Sequence, residues 1–508
     1  MPDSYIEKIL SARVYDVAQE SALDSAPLLS QRLNNRVLLK REDQQAIFSF
    51  KLRGAYNKLF RLSVEDKARG VIAASAGNHA QGVALAAREL GIVATIVMPS
   101  TTPPIKIDAV RALGAQAVLH GDSFDEAYEY SLVVAKQQDL VFVHPFDDPD
   151  VIAGQGTIGM EICRQHPDAL EAVFIPVGGG GLIAGISTYM KYLRPEAKII
   201  GVEPEDAPTL YTALQSGERA VLDHVGIFAD GVAVRQIGEE NFRIARKSVD
   251  EVVLTTTDEI CAAIKDIFDD TRSLSEPAGA LATAGLKKYV QRERIEGKNL
   301  IAINSGANMN FDRLRHVAER AELGEQREAL LAVTIPERPG AFRQFCRIVG
   351  NRSVTEFNYR YGDSAKAHIF VGIELREASG EKNALMKDLS GKGYPVLDMT
   401  DNEMAKLHLR HMVGGHSPEA VNEIIYRFEF PERPGALLRF LDAIGQAWNI
   451  SLFHYRNHGA AYGRVLVGMQ VPEADMARFR ASLDELGYPY WDETANPVYG
   501  LFLGRPGR

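Results

Sequence analysis

The sequence predicts an α/β protein built on parallel sheets, followed by two smaller α+β modules. Three observations lead there. Over the first 320 residues, short β-rich runs alternate with helical patterns. The hexapeptide Pro336-Glu337-Arg338-Pro339-Gly340-Ala341 recurs identically as Pro431-Glu432-Arg433-Pro434-Gly435-Ala436. At 508 residues the chain is also too long for one core, and length alone suggests about two to four domains.

The alternation is regular. Val71-Ile72-Ala73-Ala74 reads as a strand and Ala80 to Leu90 as the helix after it. Ala94 to Met98 precedes a helical Pro103 to Leu113, and Gln116 to Leu119 precedes Ser123 to Gln137. Ala172 to Val177, Leu182 to Leu193 and Lys198 to Glu203 continue the pattern, and Leu300 to Asn304 reads as a late buried strand. Strands that are apolar almost throughout, separated by helices, belong in parallel sheets covered on both faces. In Arg313 to Arg327 the apolar pattern weakens and Arg, Glu, His and Ala dominate, as in a helical linker. The expected division is therefore 1–322 for the first domain, 323–329 for the linker, and 330–408 and 423–497 for the two modules.

The modules agree beyond the hexapeptide. Each copy follows an alternating strand (Ala332 to Ile335; Tyr426 to Phe430) and precedes an amphipathic helix (Phe342 to Val349; Leu437 to Ala447). Then come Thr355-Glu356-Phe357-Asn358-Tyr359-Arg360 and Ser451-Leu452-Phe453-His454-Tyr455-Arg456. A polar turn and a strand follow each, Ala367 to Leu375 and Gly463 to Val471. Two copies of a β-α-β-β unit are expected.

Bulk properties narrow the function. A net charge of −10 disfavours nucleic acid or an anionic membrane as partner. Cys163, Cys261 and Cys346 form no CxxC pair and are too few for a disulfide framework, which fits a reducing, cytoplasmic setting. The N-terminal residues lack the apolar core of a signal peptide. The most apolar stretch, Ala172 to Met190, is broken by Pro176 and four glycines, so no membrane span is expected.

Two motifs could carry chemistry. Lys51 lies between Phe50 and Leu52. Desolvation there would lower its pKa and free the amine for Schiff-base chemistry; a surface lysine with a buried stem is the alternative. Gly178-Gly179-Gly180-Gly181 sits between a strand and a helix, where backbone N–H groups and the helix dipole suit a phosphate. The turn Gly179 to Ala184 also satisfies G-x-G-x-x-A, with Glu203 ending the next strand, so a dinucleotide site is the competing reading.

Taken in order, Lys51 in Ser-Phe-Lys-Leu-Arg-Gly-Ala, Ser75-Ala76-Gly77-Asn78-His79, Gly178 to Gly181, and Ser305-Gly306-Ala307-Asn308 resemble the fold-type II pyridoxal-phosphate enzymes of the threonine/serine dehydratase branch. The C-terminal duplication is similar to the ACT-like regulatory region of the biosynthetic threonine dehydratases. The resemblance covers nearly the whole chain. It implies two parallel-sheet α/β subdomains followed by two ACT-like modules, with pyridoxal 5′-phosphate as cofactor. It also implies deamination of L-threonine, and of L-serine, as the first committed step of isoleucine synthesis.

It further implies roles. Lys51 and Ser75 would be catalytic: Lys51 would hold the cofactor and then remove the Cα proton, and backbone N–H groups of the Ser75–His79 loop would take the substrate carboxylate. Phe50 would pack near the cofactor and Asn78 would hydrogen-bond its ring oxygen. Gly178, Gly179, Gly180, Gly181 and Leu182 would bind its phosphate. Ser305 would face the pyridine nitrogen, where an uncharged hydroxyl favours elimination over transamination. His79 is either an acid/base group or a helix-start histidine satisfied by backbone. Glu276 either orients cofactor or substrate, or caps the helix after it. No metal site is expected, because Thr209 stands where relatives carry an aspartate. Isoleucine inhibition, relief by valine and a homotetramer are implied as well. The alternatives are an NAD-dependent oxidoreductase, which gives Lys51 and Ser305 no role, a serine dehydratase or racemase of the same fold, and an idle amino-acid sensor.

Overall fold

The computed structural model describes residues 2–100, 102–121, 124–223, 225–226, 228–311, 313–360, 366–375, 378–402, 405–406, 420–431, 435–444, 447–456 and 462–495. It forms two compact units, Met1–Gly324 and Glu325–Arg508.

The first unit holds two sheets. The larger runs Leu23–Ser25, Arg36–Arg41, Asn299–Asn304, Ala172–Pro176, Lys198–Pro204, Glu251–Thr255, and only its first pair is antiparallel. The smaller runs Gln116–Leu119, Ala94–Met98, Val71–Ala74, Val141–Phe142, all parallel. The expected strands and helices are present. Helix Asn78–Leu90 follows the Val71–Ala74 strand, and Gly181–Leu193 follows Ala172–Pro176.

The strand Arg36–Arg41 has no counterpart in the sequence reading, because charged residues flank its short apolar centre. It pairs with Asn299–Asn304 and carries Lys40 into the interior. There Lys40 Nζ donates to Glu161 Oε2 at 2.7 Å, and Arg53 donates to Glu42 (2.8 Å) and Glu161 (2.6 Å). All four side chains are fully buried. Burial alone would raise the Glu161 carboxyl; Arg53 and Lys40 together pull it below the usual range.

This network anchors the helix Lys51–Arg61, whose first residue is the lysine of interest. The helix crosses Pro149–Gln165 at glycines. A Cβ on Gly154 would lie 2.7 Å from the Arg53 carbonyl oxygen, and one on Gly54 would lie 2.8 Å from that of Val151. The backbones can approach so closely only because neither residue has a side chain.

The stretch read as a helical linker is instead a packed element. Helix Arg313–Gly324 lies against Thr257–Thr271. Val317 and Ala321, one turn apart, join the apolar core under the larger sheet, and Arg320 pairs with Asp258. Glu325 to Arg327 connects it to the next strand, which starts at Glu328.

In the second unit each module exceeds the expected β-α-β-β pattern by a helix and a strand. The first runs Glu328–Pro336, Ala341–Val349, Val354–Arg360, Lys366–Glu374, Ala378–Gly391, Val396–Asp398. The second runs Glu423–Pro431, Ala436–Ile444, Asn449–Arg456, Tyr462–Gln470, Met476–Leu486, Tyr490–Asp492. Residues 432–434 of the second hexapeptide lie outside the described residues.

The two modules share one antiparallel eight-stranded sheet, joined where Val354–Arg360 pairs with Asn449–Arg456. Phe357 faces Tyr455 and Tyr359 faces Phe453, the reciprocal pairing that two related copies produce about a local two-fold axis. Buried Phe342, Phe357 and Phe453 meet edge-to-face or tilted across this join, with ring centroids 4.7–5.6 Å apart.

Candidate active site

A cleft of about 440 Å³ opens in the first unit at the C-terminal end of the strand Ala172–Pro176. Such strand ends are where open parallel sheets bind ligands. Its walls include Phe50, Lys51, Asn78, Gly178 to Gly181, Leu182 and Ser305. Of the residues expected to form the site, Ser75 alone is not in this wall. It follows the strand Val71–Ala74, and its Oγ accepts from Gly77 N at 3.2 Å.

Lys51 Nζ donates to the Pro145 carbonyl at 3.1 Å and lies 5.3 Å from the centre of the Phe50 ring. The residue as a whole is only partly buried, but its amine end is enclosed. Desolvation brings its pKa down to about 8, with Glu276 opposing. The unprotonated amine is therefore far more accessible near neutral pH than for an ordinary lysine, as a nucleophilic lysine requires. The alternative of a solvated surface lysine does not fit this setting.

The loop before Lys51 is tied to the Ser305 segment. Ala307 N donates to Phe48 O at 2.9 Å, and Ser49 bridges Gly306. Ser305 Oγ donates to Ala278 O at 3.2 Å.

The carbonyls of the glycine turn point into the protein. Gly178 O accepts from Thr209 Oγ1, Gly179 O from Asn241 Nδ2 and Gly238 N, and Gly180 O from Ala184 N. Among the described residues no hydrogen bond is made by the N–H groups of Gly178 to Leu182, which stand at the start of helix Gly181–Leu193. A run of unengaged N–H groups at a helix N-terminus suits a phosphate. Glycine is required there for space as well: a Cβ on Gly179 would overlap the Phe146 ring, and one on Gly178 would lie 2.8 Å from Val232 Cα. The donor set thus fits pyridoxal phosphate: an amine for its aldehyde, an N–H cradle for its phosphate and an uncharged hydroxyl beside the ring. Gly179→Ala is expected to weaken cofactor binding at least about ten-fold by displacing Phe146. Equilibrium titration with pyridoxal phosphate checks this, and Phe146→Ala in the same chain should restore part of the loss.

Asn78 opens its helix. Its Nδ2 donates to Glu276 Oε1 at 2.6 Å, and its Oδ1 accepts from Asn308 Nδ2 at 2.5 Å. Glu276 precedes the helix Pro277–Glu293 but makes no side-chain cap; its carboxylate turns into the cleft. Burial, then nearby Asp230, raises its pKa to about 7, against the Asn78 hydrogen bond. His79 is buried with Nε2 3.1 Å from the Val143 carbonyl oxygen, and burial pushes its pKa down to about 3. It is neutral and backbone-bound.

Glu203, the would-be ribose ligand, is spent at a helix start. It accepts from Thr209 Oγ1 and Leu210 N (both 2.8 Å) and from Tyr211 N (2.9 Å). Among the described residues no cluster of three or more His, Cys, Asp or Glu could hold a metal, and no helix is long and apolar enough to cross a membrane. The sequence reading missed Phe146, on a loop, and Val232, at the end of the helical turn Asp230–Val232, which shape the glycine turn without a motif. Their one signal is that His144 to Asp147 follows a short strand, Val141–Phe142, in a parallel sheet.

Comparison with known proteins agrees with this geometry. The pyridoxal-phosphate dependent enzyme family matches residues 16–306. The C-terminal regulatory domain of threonine dehydratase matches twice, at 319–409 and 414–503. The chain is 57% identical to the biosynthetic L-threonine dehydratase of Burkholderia multivorans, over 98% of this chain and 99% of that one. It is 52% identical to that of Escherichia coli, over 98% and 97%. Among solved structures, the processed threonine deaminase isoform 2 of Solanum lycopersicum superposes with a TM-score of 0.62 at 53% identity, covering 63% of this chain and 88% of that one. The chain belongs to the biosynthetic threonine dehydratases, pyridoxal-phosphate-dependent lyases of fold type II that carry a doubled C-terminal regulatory domain.

Proposed function

We propose that this chain converts L-threonine, and also L-serine, to the 2-oxo acid and ammonia by α,β-elimination, and that isoleucine inhibits it while valine relieves the inhibition. The observation that carries the first part is the convergence of the Lys51 amine, the N–H cradle of Gly178 to Leu182 and the Ser305 hydroxyl in one cleft.

When bound, pyridoxal phosphate supplies the electron sink that lets the substrate Cα–H bond break. The rest falls to the protein. Lys51 anchors the cofactor, is released when threonine takes its place, and accepts the Cα proton. The Ser75–His79 loop offers backbone N–H groups to the substrate carboxylate, and Asn78 donates to the cofactor's ring oxygen. Ser305 would give the ring nitrogen a hydrogen-bond partner without charge, and the β-hydroxyl would leave as water with the proton that Lys51 took from Cα. The released enamine takes up water and loses ammonia, giving 2-oxobutanoate. Purified protein loaded with cofactor should form 2-oxobutanoate from threonine without any nicotinamide. Failure to do so, with nicotinamide-linked turnover instead, would favour the oxidoreductase.

The division of labour we propose gives residues 1–322 the chemistry and the modules 330–408 and 423–497 its control, with 323–329 between them. The protein would act in the cytoplasm as a homotetramer. Support for amino-acid effectors comes from a second cavity, of about 370 Å³, inside the second unit. Its walls include the hexapeptide Pro336 to Ala341, Tyr359 and Trp448 to Ile450. Its walls are mixed, and Phe342, Leu441 and Ile450 among them suit a branched side chain. Glu337, half-buried and accepting from Tyr359 Oη at 2.6 Å, offers a carboxylate for an ammonium group.

Two opposed effectors need two conformations that they prefer differently. A chain ending at Gly324, where the last helix of the first unit is complete, should turn over threonine at a rate within about three-fold of the full chain and ignore isoleucine. Inhibition curves with and without isoleucine check this, and retained inhibition would count against the division.

A further inference from the structure

The Asn78 side chain is held from both ends, and the direction of its hydrogen bonds can be traced to a group that cannot turn. The Ile47 backbone carbonyl can only accept. It lies 2.8 Å from Asn308, so that end of the Asn308 amide must be nitrogen. The second hydrogen on the same nitrogen points at Asn78, 2.5 Å away, so the Asn78 atom facing it must be oxygen. The nitrogen of Asn78 then faces Glu276 Oε1 at 2.6 Å and the cleft. The carboxylate of Glu276, acceptor-only when ionised, is a matched terminus. Each link fixes the next, and the chain of polarity runs from a main-chain carbonyl to the cofactor pocket.

An amide is nearly symmetric in shape, so packing alone does not decide which end faces a ligand. One N–H of Asn78 is taken by Glu276. The other remains to donate into the cleft. A donor beside a phenolic oxygen stabilises its anionic form, whereas an oxygen in its place would repel it.

We propose that Asn308 is a positioning residue: by relaying the polarity of the Ile47 carbonyl to Asn78, it keeps the nitrogen end of Asn78 toward the cofactor's ring oxygen. This rests on the ring-oxygen role proposed for Asn78 above. Asn308 itself touches neither cofactor nor substrate in that reading.

The test uses the full chain loaded with pyridoxal phosphate. Asn308→Asp keeps the shape but replaces the donor with an acceptor, so the Asn78 amide turns over and presents oxygen. The ratio of the longer- to the shorter-wavelength visible band, which reports the ionised against the protonated ring oxygen, should fall roughly ten-fold, the size of one hydrogen bond to a charged group. The pH profile of kcat should shift with it. Adding Glu276→Gln to Asn308→Asp gives the turned amide a donor again. Thermal stability should recover while the spectrum stays shifted, an outcome that a purely structural role does not produce. Asn308→Ala is the second variant should the double variant fold poorly: it leaves Asn78 oriented by Glu276 alone and should give a smaller fall in the band ratio. A wild-type spectrum in both Asn308→Asp and Asn308→Ala, with a shifted spectrum in Asn78→Ala, would overturn the relay and leave the role of Asn78 standing. A wild-type spectrum in Asn78→Ala as well would remove that role and the relay together.

Discussion

Lys51→Ala will lower threonine turnover by about 10³-fold or more while leaving the fold intact. The size follows from what one amine does here. In the role proposed above, it anchors the cofactor and, once released, takes the Cα proton, and a positioned proton acceptor alone is worth about 10²–10⁴-fold. The fold should survive because the Lys51 amine makes one side-chain hydrogen bond, to the Pro145 carbonyl, and its helix is held elsewhere by Arg53 and the Gly54–Gly154 crossing. Lys51→Arg separates the two aspects. It keeps a cation in place, but an always-protonated guanidinium can neither form the covalent link nor accept a proton. Both variants should be equally inactive in a 2-oxo acid assay and should match wild type in circular dichroism. Activity in Lys51→Arg within ten-fold of wild type would reduce Lys51 to a charge.

Glu161→Ala should have the largest effect on stability. Glu161 receives Arg53 through two nitrogens and Lys40 through a third, all fully buried. Removing it leaves two buried cations facing Glu42 alone. Breaking a buried ion pair from one side costs about 3–5 kcal/mol, because the orphaned charge stays desolvated. Glu161→Gln keeps the shape and part of the hydrogen bonding and should lose less. The readout is urea unfolding followed by circular dichroism. Both tryptophans, Trp448 and Trp491, lie in the second unit, so their fluorescence supplies a separate record of that unit. A destabilisation under about 1 kcal/mol in the circular dichroism transition would mean that water or a local shift relieves the charges.

The same network marks where the sequence could be read and where it could not. The strands at Val71, Ala94, Ala172 and Leu300 announce themselves as unbroken apolar runs, and the four glycines locate the cradle. Arg36–Arg41 was hidden because its buried lysine and arginine look like surface residues until Glu161 and Asp43, distant or adjacent in sequence, are brought to them. The helix Arg313–Gly324 looked like a linker because a short apolar stripe, Val317 and Ala321, suffices once a partner helix covers it. The second helix of each module went unread for a related reason: nothing in the hexapeptide repeat points beyond the third strand.

In the cleft, lysine, asparagine, glycines and serine were legible because their residue types suit one chemistry in one order. Phe146, Val232 and the Asn308–Asn78–Glu276 sequence of hydrogen bonds were not. Their importance lies in who packs or donates to whom, and no spacing encodes that.

The most direct test is a visible spectrum of the purified full chain with pyridoxal phosphate, before and after threonine. The wild-type protein should show the yellow band of a lysine-bound cofactor, roughly 410–420 nm, which changes on adding threonine. Lys51→Ala should lack the band before substrate is added. A wild-type chain that stays colourless and takes up no pyridoxal phosphate, or a Lys51→Ala chain with the unchanged band, would contradict the assignment of Lys51 as the residue that holds the cofactor.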